Sequence, residues 1–184
     1  EDEFESPEEI APYAETIPGP STRHFGALAK ELGIYIHIGF AEKDGRETFN
    51  TVVALNPDGN IVAKYRKINL YQGETHFLSR GKMPATYIAP FGKVALIICA
   101  DVYSNFPMQA YRKSGVQVYA LSTSWAQMNS GMNTFSEAAA QSHAYLLASN
   151  QRYFPDSGVI NPDGSLQSHI RQTQGVAYGY LPRK

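Results

Sequence analysis

The spacing of apolar and polar residues predicts an α/β protein with many short strands. A helix is expected over residues 21–32, because Ser21 or Thr22 can cap its start and Gly33 can end it. Segments rich in β-branched and aromatic residues, bounded by turn residues, are typical of strands. In the first half of the chain these segments are residues 34–40, 50–55, 61–65, 85–89 and 93–99.

The second half of the chain mixes strands and helices in the same way. A short helix is expected after Pro107, and a longer one over residues 134–146, where Thr134 and Glu137 form a capping box. Residues 68–84 have no clear period and predict a long loop, which in a compact domain usually serves function. Further strands are expected at 117–121, 147–152, 158–160, 166–171 and 176–181, with Asn-Pro-Asp-Gly turns at 56–59 and 161–164.

Ten short strands and three helices are many elements for 184 residues. They favour two stacked sheets with helices on the outside. Because 43% of the residues are hydrophobic, the chain can fill a core of this kind. No linker or change in composition divides the sequence, so we expect a single domain over residues 1–184.

Charge and cysteine content narrow the classes of partner and compartment. Sixteen Lys and Arg residues against seventeen Asp and Glu give a net charge of −1, which does not favour nucleic acid or an anionic membrane as a partner. The longest apolar run, residues 94–100, is too short to span a bilayer. With one cysteine the chain forms no internal disulfide, which favours the cytoplasm.

Cys99 is the first candidate for chemistry. It ends a predicted strand and precedes an irregular stretch and a helix, and a strand, a sharp turn and a helix together lift a nucleophile out of a sheet. The N-terminus of a nearby helix lowers the pKa of a thiol and offers N–H groups to an oxyanion. The alternative is that Cys99 is a small buried apolar residue.

A thiol nucleophile needs a partner that handles its proton. Among the histidines, only His76 in the long loop is kept as a candidate base, and no pair of histidines has the spacing of metal ligands. Lys67 offers another solution. In an alternating strand it points away from the face of Arg66, and the apolar neighbours Ile68 and Leu70 favour its partial burial. A buried ammonium can hold a thiolate and polarise a carbonyl group.

These segments together resemble the nitrilase, or carbon–nitrogen hydrolase, family. The resemblance implies a four-layer α-β-β-α sandwich with two mixed sheets. It also implies a domain that is N-terminally incomplete, without the first strand and helix of the family. The similar segments are Ile17-Pro18-Gly19-Pro20-Ser21, Tyr65-Arg66-Lys67-Ile68-Asn69-Leu70, Gly73-Glu74-Thr75-His76-Phe77, Ile98-Cys99-Ala100-Asp101, Ala148-Ser149-Asn150 and Asn161-Pro162-Asp163-Gly164.

The resemblance also implies a Glu-Lys-Cys triad that needs no metal and no cofactor. Cys99 would be the nucleophile, and Lys67 with the backbone N–H of Ala100 would stabilise the tetrahedral intermediate. Glu74 would assist or position the triad. The family places its base upstream of the Pro-Gly-Pro-Ser segment, which indicates Glu1, with Asp2 following it and Glu3 as the fallback.

One departure from the family's pattern narrows the subgroup. Pro107 comes eight residues after Cys99, and this spacing, with Thr123-Ser124-Trp125 and residues 146–150, resembles the vanin and biotinidase branch of amidases. We therefore expect hydrolysis of a small linear amide, with Tyr103 and Trp125 lining the substrate pocket, and a homo-oligomer. The alternatives are nitrile hydrolysis by the same residues, a non-catalytic binding or scaffold subunit, and a Cys-His hydrolase that uses His76.

Overall fold

The computed structural model describes residues 6–125, 131–151, 156–171 and 174–182. The chain divides into two compact units, Glu1–Ala85 and Thr86–Lys184. The α-helices are α1 (Pro7–Ile10), α2 (Pro20–Leu32), α3 (Asn105–Lys113) and α4 (Gly131–Ser142). The strands are β1 (Ile36–Asp44), β2 (Glu47–Leu55), β3 (Ile61–Arg66), β4 (Ala85–Ala89), β5 (Gly92–Ile98), β6 (Val118–Thr123), β7 (Tyr145–Asn150), β8 (Ser157–Ile160) and β9 (Leu166–Ile170).

The first unit contains a three-stranded antiparallel sheet in the order β1-β2-β3. The predicted hairpin between β2 and β3 is confirmed: the Asn56 N–H donates to Asn60 O, and Gly59 takes the left-handed conformation with φ of 84°. β1 was expected to be a buried strand, but most of its residues are half-buried or exposed. It also extends four residues beyond its predicted end, up to a turn at Gly45, where φ is 61°.

Helix α2 begins one residue earlier than predicted. Its N-cap is Gly19, and Pro20 occupies the first helical position, where a proline ring fits without the loss of a hydrogen bond. Ser21 and Thr22 therefore lie inside the helix and are not its N-cap. The Thr22 hydroxyl accepts a hydrogen bond from the Gly19 N–H at 2.8 Å, and Gly33 ends the helix with φ of 64°, as predicted.

The second unit contains a six-stranded mixed sheet in the order β4-β5-β6-β7-β8-β9. Strands β5, β6 and β7 are parallel neighbours, whereas β8 and β9 run antiparallel to the strands before them. The central strands are continuous apolar runs, as expected of parallel strands buried on both faces. The core includes Ile97, Leu121 and Leu146 of these strands, Met108 and Tyr111 of α3, and Phe135 and Ala139 of α4.

Two elements of the second unit differ from the prediction. α4 begins at Gly131 and not at Thr134, because the buried Asp156 carboxylate accepts the Gly131 N–H at 3.2 Å. It also ends at Ser142, so that Leu146 lies in β7. The strand expected at 176–181 is absent from residues 174–182. There the Tyr180 backbone pairs with the Gln167 side chain and joins no ladder.

The α/β class with two sheets is thus confirmed. Within the described ranges the chain has nine strands and four α-helices, against ten strands and three helices expected. Among these residues, no helix combines the length and apolar content that a membrane crossing requires. The single-domain assignment stays a prediction.

Candidate active site

Lys67 is a buried lysine that follows β3 directly. The residue is only 2% exposed, and its ammonium contacts Glu74, whereas the Arg66 guanidinium contacts Glu42. The backbone holds it on both sides, because the Lys67 N–H donates to Asn50 O and its carbonyl accepts from the Gly81 N–H, both at 2.8 Å. Charged groups are rarely buried without a partner, so the ammonium requires an anion beside it.

Glu74 supplies that anion from the long loop. It opens a short 3-10 helix, Glu74–His76, and its Oε2 accepts from the Lys67 ammonium at 2.5 Å. Oε2 also accepts from the Tyr71 N–H at 2.7 Å, and Oε1 accepts from Asn50 Nδ2 at 2.9 Å. Three donors therefore fix this carboxylate, and the structure brings together two of the predicted site residues.

A second ionic cluster occupies the other side of β3. The buried Glu42 carboxylate accepts hydrogen bonds from Lys64 at 2.7 Å, from Arg66 at 2.6 and 2.8 Å, and from the Thr51 hydroxyl at 2.7 Å. Burial by itself would raise the pKa of Glu42, but the bonds from Arg66, Lys64 and Thr51 lower the pKa from 4.5 to about 2. Arg66 is therefore paired with Glu42 and, at 2.6 Å, with Asp44, while Glu74 pairs with Lys67.

Cys99 lies at the sharp turn that the sequence predicts. It follows the last residue of β5 and begins a 3-10 helix, Cys99–Tyr103, with a φ of 45°. The left-handed region costs a residue with a Cβ about 1–2 kcal/mol, and such strain clusters at functional sites. Cys99 is half-buried.

The 3-10 helix is held by its own acidic residue. Asp101 is fully buried, and its Oδ2 accepts from the Ile98 N–H at 3.1 Å, which ties the helix back to the end of β5. The Asp101 carbonyl accepts from the Ser104 N–H at 3.1 Å. Ala100 is buried in the same turn, directly after the sulfur-bearing residue. Rigid backbone at this point is what an oxyanion site requires.

Two aromatic side chains lie next to each other near this turn. Tyr103 ends the 3-10 helix and is 63% exposed, and its ring meets that of Trp125 edge to face at 6.0 Å. Trp125 follows β6 and packs in the same way on Phe135 of α4, at 5.3 Å. The sequence indicated Tyr103 and Trp125 for the pocket, and it placed Asn150 in a segment similar to the family's but gave its side chain no role. That side chain holds the Trp125 backbone at both its N–H and its carbonyl.

The structure thus groups the predicted residues in two sets. Lys67 and Glu74 form one buried pair in the first unit, while the second unit places Cys99, Ala100 and Tyr103 on one short helix with Trp125 beside it. His76 is exposed in the loop after Glu74. Glu1, Asp2 and Glu3 lie outside the described residues. The catalytic roles of all these residues stay predictions.

No metal centre is formed by the described part of the chain. Across these residues, no three His, Cys, Asp or Glu side chains come together as ligands would. The interpretation that the reaction needs neither metal nor cofactor stays a prediction from the resemblance.

Comparisons with known proteins agree with one another. The sequence profile of the carbon–nitrogen hydrolase family matches residues 4–184. Omega-amidase NIT2 of Danio rerio is 30% identical over 193 aligned residues, which cover 90% of this chain and 68% of that protein. Omega-amidase NIT2 of Homo sapiens is 37% identical over 116 residues, which cover 58% of this chain and 42% of that protein.

A solved structure shows the same fold. Nit3 of Saccharomyces cerevisiae, a member of branch 10 of the nitrilase superfamily, matches with a TM-score of 0.80 at 19% identity. The match covers 91% of this chain and 68% of Nit3. The chain therefore spans about two thirds of these two longer matches and less than half of the human relative.

Proposed function

The chain belongs to the carbon–nitrogen hydrolase family, and from this premise we propose that it hydrolyses the amide bond of a small linear amide with Cys99 as nucleophile. The observation that carries the proposal is the backbone of Cys99, a residue with a Cβ held at a φ of 45° directly after a central strand. Cys99 is half-buried and begins a 3-10 helix, and a nucleophile on a sharp turn after a strand is the arrangement that brings backbone N–H groups to an oxyanion.

The reaction proceeds in two halves through a thioester. The glutamate base takes the thiol proton, the Cys99 sulfur bonds to the amide carbon, and the carbonyl electrons move to the oxygen. The C–N bond then breaks, and the nitrogen leaves as an amine with the proton that the glutamate returns. Water adds to the thioester and gives a proton to the glutamate, the C–S bond breaks, and the acid is released as the thiol is restored.

Each candidate residue has a role in this scheme. The Lys67 ammonium and the backbone N–H of Ala100 stabilise the negative oxygen of both tetrahedral intermediates. Glu74 orients the Lys67 ammonium through the 2.5 Å contact. Glu1, with Asp2 following and Glu3 as the fallback, supplies the base.

The substrate class follows from the relatives and from the residues near Cys99. The relatives named omega-amidase favour a terminal amide of a small molecule. Tyr103 is on the same 3-10 helix as Cys99, and its ring adds apolar surface together with that of Trp125. The finer assignment to the vanin and biotinidase branch stays a prediction, and only its preference for amides enters the proposal.

The single cysteine also bears on the compartment. No disulfide can form within these 184 residues, and a reactive thiol persists most easily under reducing conditions. We therefore propose the cytoplasm as its location.

The proposal is tested by product analysis after the protein is supplied with an amide and with the matching nitrile. We expect the amide to yield the acid and ammonia. Mass spectrometry of the rapidly quenched enzyme should show an acyl group on Cys99. Cys99→Ala and Lys67→Ala should both abolish turnover, and His76→Ala is the matched control that should retain it. Turnover of the nitrile alone would overturn the amidase assignment in favour of a nitrilase.

A separate measurement distinguishes an enzyme from a scaffold subunit. A nucleophilic Cys99 should be alkylated by iodoacetamide near neutral pH, and the alkylation should slow in Lys67→Ala. A thiol that stays unmodified in the folded protein would overturn the catalytic proposal. Loss of activity in His76→Ala, with Lys67→Ala still active, would favour a Cys-His hydrolase.

A further inference from the structure

Three parallel strands of the second unit bring separate parts of the chain to one sheet edge. Ile98 of β5 is paired with Ser122 of β6, and Thr123 of β6 is paired with Asn150 of β7. Cys99 and Trp125 follow these strands by one and two residues, respectively. Because the carboxyl ends of parallel strands meet at one edge, which is where α/β sheets bind their ligands, Asn150 belongs to the surroundings of the nucleophile.

Asn150 extends the ladder of β6 by means of its side chain. Its Oδ1 accepts from the Trp125 N–H at 2.8 Å, and its Nδ2 donates to the Trp125 carbonyl at 3.2 Å. Oδ1 also accepts from the Gln151 N–H at 2.9 Å, and the Asn150 N–H donates to Ser157 Oγ at 2.8 Å. A primary amide side chain can accept from and donate to one residue through two separate atoms, whereas an ionised carboxylate cannot donate.

Asn150 holds the backbone of Trp125, whose ring lies between those of Phe135 and Tyr103. Phe135 is fully buried in the core, Trp125 is half-buried, and Tyr103 is largely exposed, and the rings meet edge to face in that order. Tyr103 is on the same 3-10 helix as Cys99. Each edge-to-face contact is weak and depends on geometry, so a displacement of the Trp125 backbone would separate the rings.

We infer that Asn150 is a positioning residue that fixes Trp125 against Tyr103. The two rings form an aromatic wall that selects amides with an apolar acyl group. This inference rests on the proposed amidase function. The wall lies at the same edge of the sheet as Cys99, and an acyl chain of several carbons gains by covering its rings. A one- or two-carbon acyl group is too short to reach the wall. Asn150 therefore acts on the binding of long acyl groups and not on the chemistry at the sulfur.

The first test needs no activity, because Trp125 is the only tryptophan of the chain and its fluorescence reports on this wall alone. Asn150→Ala should increase the quenching of Trp125 by acrylamide about threefold, as expected when a ring loses an edge-to-face partner. Asn150→Asp, which loses only the donor, should show an intermediate increase. Asn161→Ala is the matched control: Asn161 also donates one side-chain bond and accepts another, but in an exposed turn.

The second test compares acetamide with hexanamide as substrates. Asn150→Ala should raise KM for hexanamide about tenfold, the upper range for an aromatic contact, and change kcat of either amide by less than about twofold. KM for acetamide should be unchanged. Equal effects on the two amides, or a loss confined to kcat, would overturn the inference. The inference would also be overturned by an Asn150→Ala variant that melts at the wild-type temperature and in which acrylamide quenches Trp125 as in the wild type.

The two proposals can fail separately. A wild-type protein that hydrolyses neither amide would overturn the amidase function. In that case the fluorescence of Trp125 in the presence of hexanamide still tests the inference. If hexanamide protects Trp125 from quenching by acrylamide in the wild type but not in Asn150→Ala, the aromatic wall is supported. The absence of any effect of hexanamide on the fluorescence of the wild-type protein would overturn it.

Discussion

At the scale of single residues, the most costly arrangement is the burial of two opposite charges. The Lys67 side chain is 3% exposed and that of Glu74 is 18% exposed. The Glu74 carboxylate accepts hydrogen bonds from three donors, namely Lys67, Asn50 and Tyr71. The Lys67 ammonium, by contrast, donates to Glu74 Oε2 as its identified acceptor. The two members of the pair therefore differ in how well each tolerates the loss of the other.

This asymmetry predicts unequal effects of two conservative substitutions. Glu74→Gln leaves a buried ammonium without its anion and should lower the free energy of unfolding by about 3 kcal/mol or more. Lys67→Met should cost about 1 kcal/mol, because the Glu74 carboxylate keeps the bonds from Asn50 and Tyr71. Denaturant unfolding of both variants measures the difference. Equal losses, or the reverse order, would contradict the burial argument.

The backbone of Cys99 leads to a second prediction. Cys99→Ala and Cys99→Gly both remove the nucleophile, but only glycine takes a φ of 45° without strain. Cys99→Gly should therefore be more stable than Cys99→Ala by about 1 kcal/mol, the strain relieved less the entropy that glycine adds to the unfolded chain. Thermal melting of the two inactive variants tests this. A more stable alanine variant would show that the strain is absent.

The sequence reveals site residues to the extent that their contacts are local. Lys67 was predictable because apolar residues flank it, and Cys99 because it ends an apolar strand. Asn150 was not predictable as a clamp, since its partner Trp125 is 25 residues away and only the register of two strands brings them together. The partner of Arg66 was equally hidden, because Glu42 lies on another strand.

At the scale of elements, the loop after β3 depends on one glycine. A Cβ added to Gly81 would lie 1.9 Å from Arg66 O, whereas one added to Gly73, in the same loop, would meet nothing within 4 Å. The close approach allows the Gly81 N–H to bond to the Lys67 carbonyl. Gly81 thus fixes the backbone that carries the lysine.

A matched pair of alanine substitutions tests this role. Gly81→Ala should displace the backbone at Lys67, lower the free energy of unfolding by about 2 kcal/mol and reduce turnover. Gly73→Ala should leave both within experimental error, because the φ of Gly73 is −66° and the space around it is open. Stability and activity of the pair are measured together. A Gly81→Ala variant that equals Gly73→Ala would refute the assignment.

The sheet of the first unit depends on an ionised carboxylate. Since the pKa of Glu42 falls from 4.5 to about 2 on folding, its contribution is present above pH 4.5 and is lost as the pH falls toward 2. Glu42→Gln should be less stable than the wild type by about 2 kcal/mol at pH 7, the worth of hydrogen bonds to a charged group. The gap should narrow below pH 4.5. Denaturant unfolding at several pH values measures it, and a constant gap would contradict the prediction.

Elements were predicted well where their signals lie within the element itself. The end of α2 and the hairpin at Asn56 depend on glycines at the turn, and both were found as expected. The start of α4 was missed because its capping carboxylate, Asp156, is 25 residues further along the chain. Residues 176–181 alternate like a strand, but a side chain of β9, Gln167, takes the hydrogen bonds that a ladder would use.

At the scale of the whole molecule, the family assignment and the two-sheet fold follow from the order of several short motifs. The resemblance also predicts self-association. We expect sedimentation or light scattering to give a mass of at least twice 20.3 kDa. With a net charge of −1, long-range repulsion between copies is weak, so the mass should change little with salt. A mass of 20.3 kDa at all concentrations would contradict the prediction of a homo-oligomer.

The strand order of both sheets bears on how the protein is made. In each sheet the strands lie side by side in the sequence in which they are translated, so every later strand finds its neighbour already synthesised. β6 and β7 arrive after α3 and α4, which provide the crossovers that parallel pairing requires. On the ribosome each sheet can therefore grow from one side only: its first strand remains one edge throughout, and the newest strand offers the other edge to the next strand or to other nascent chains.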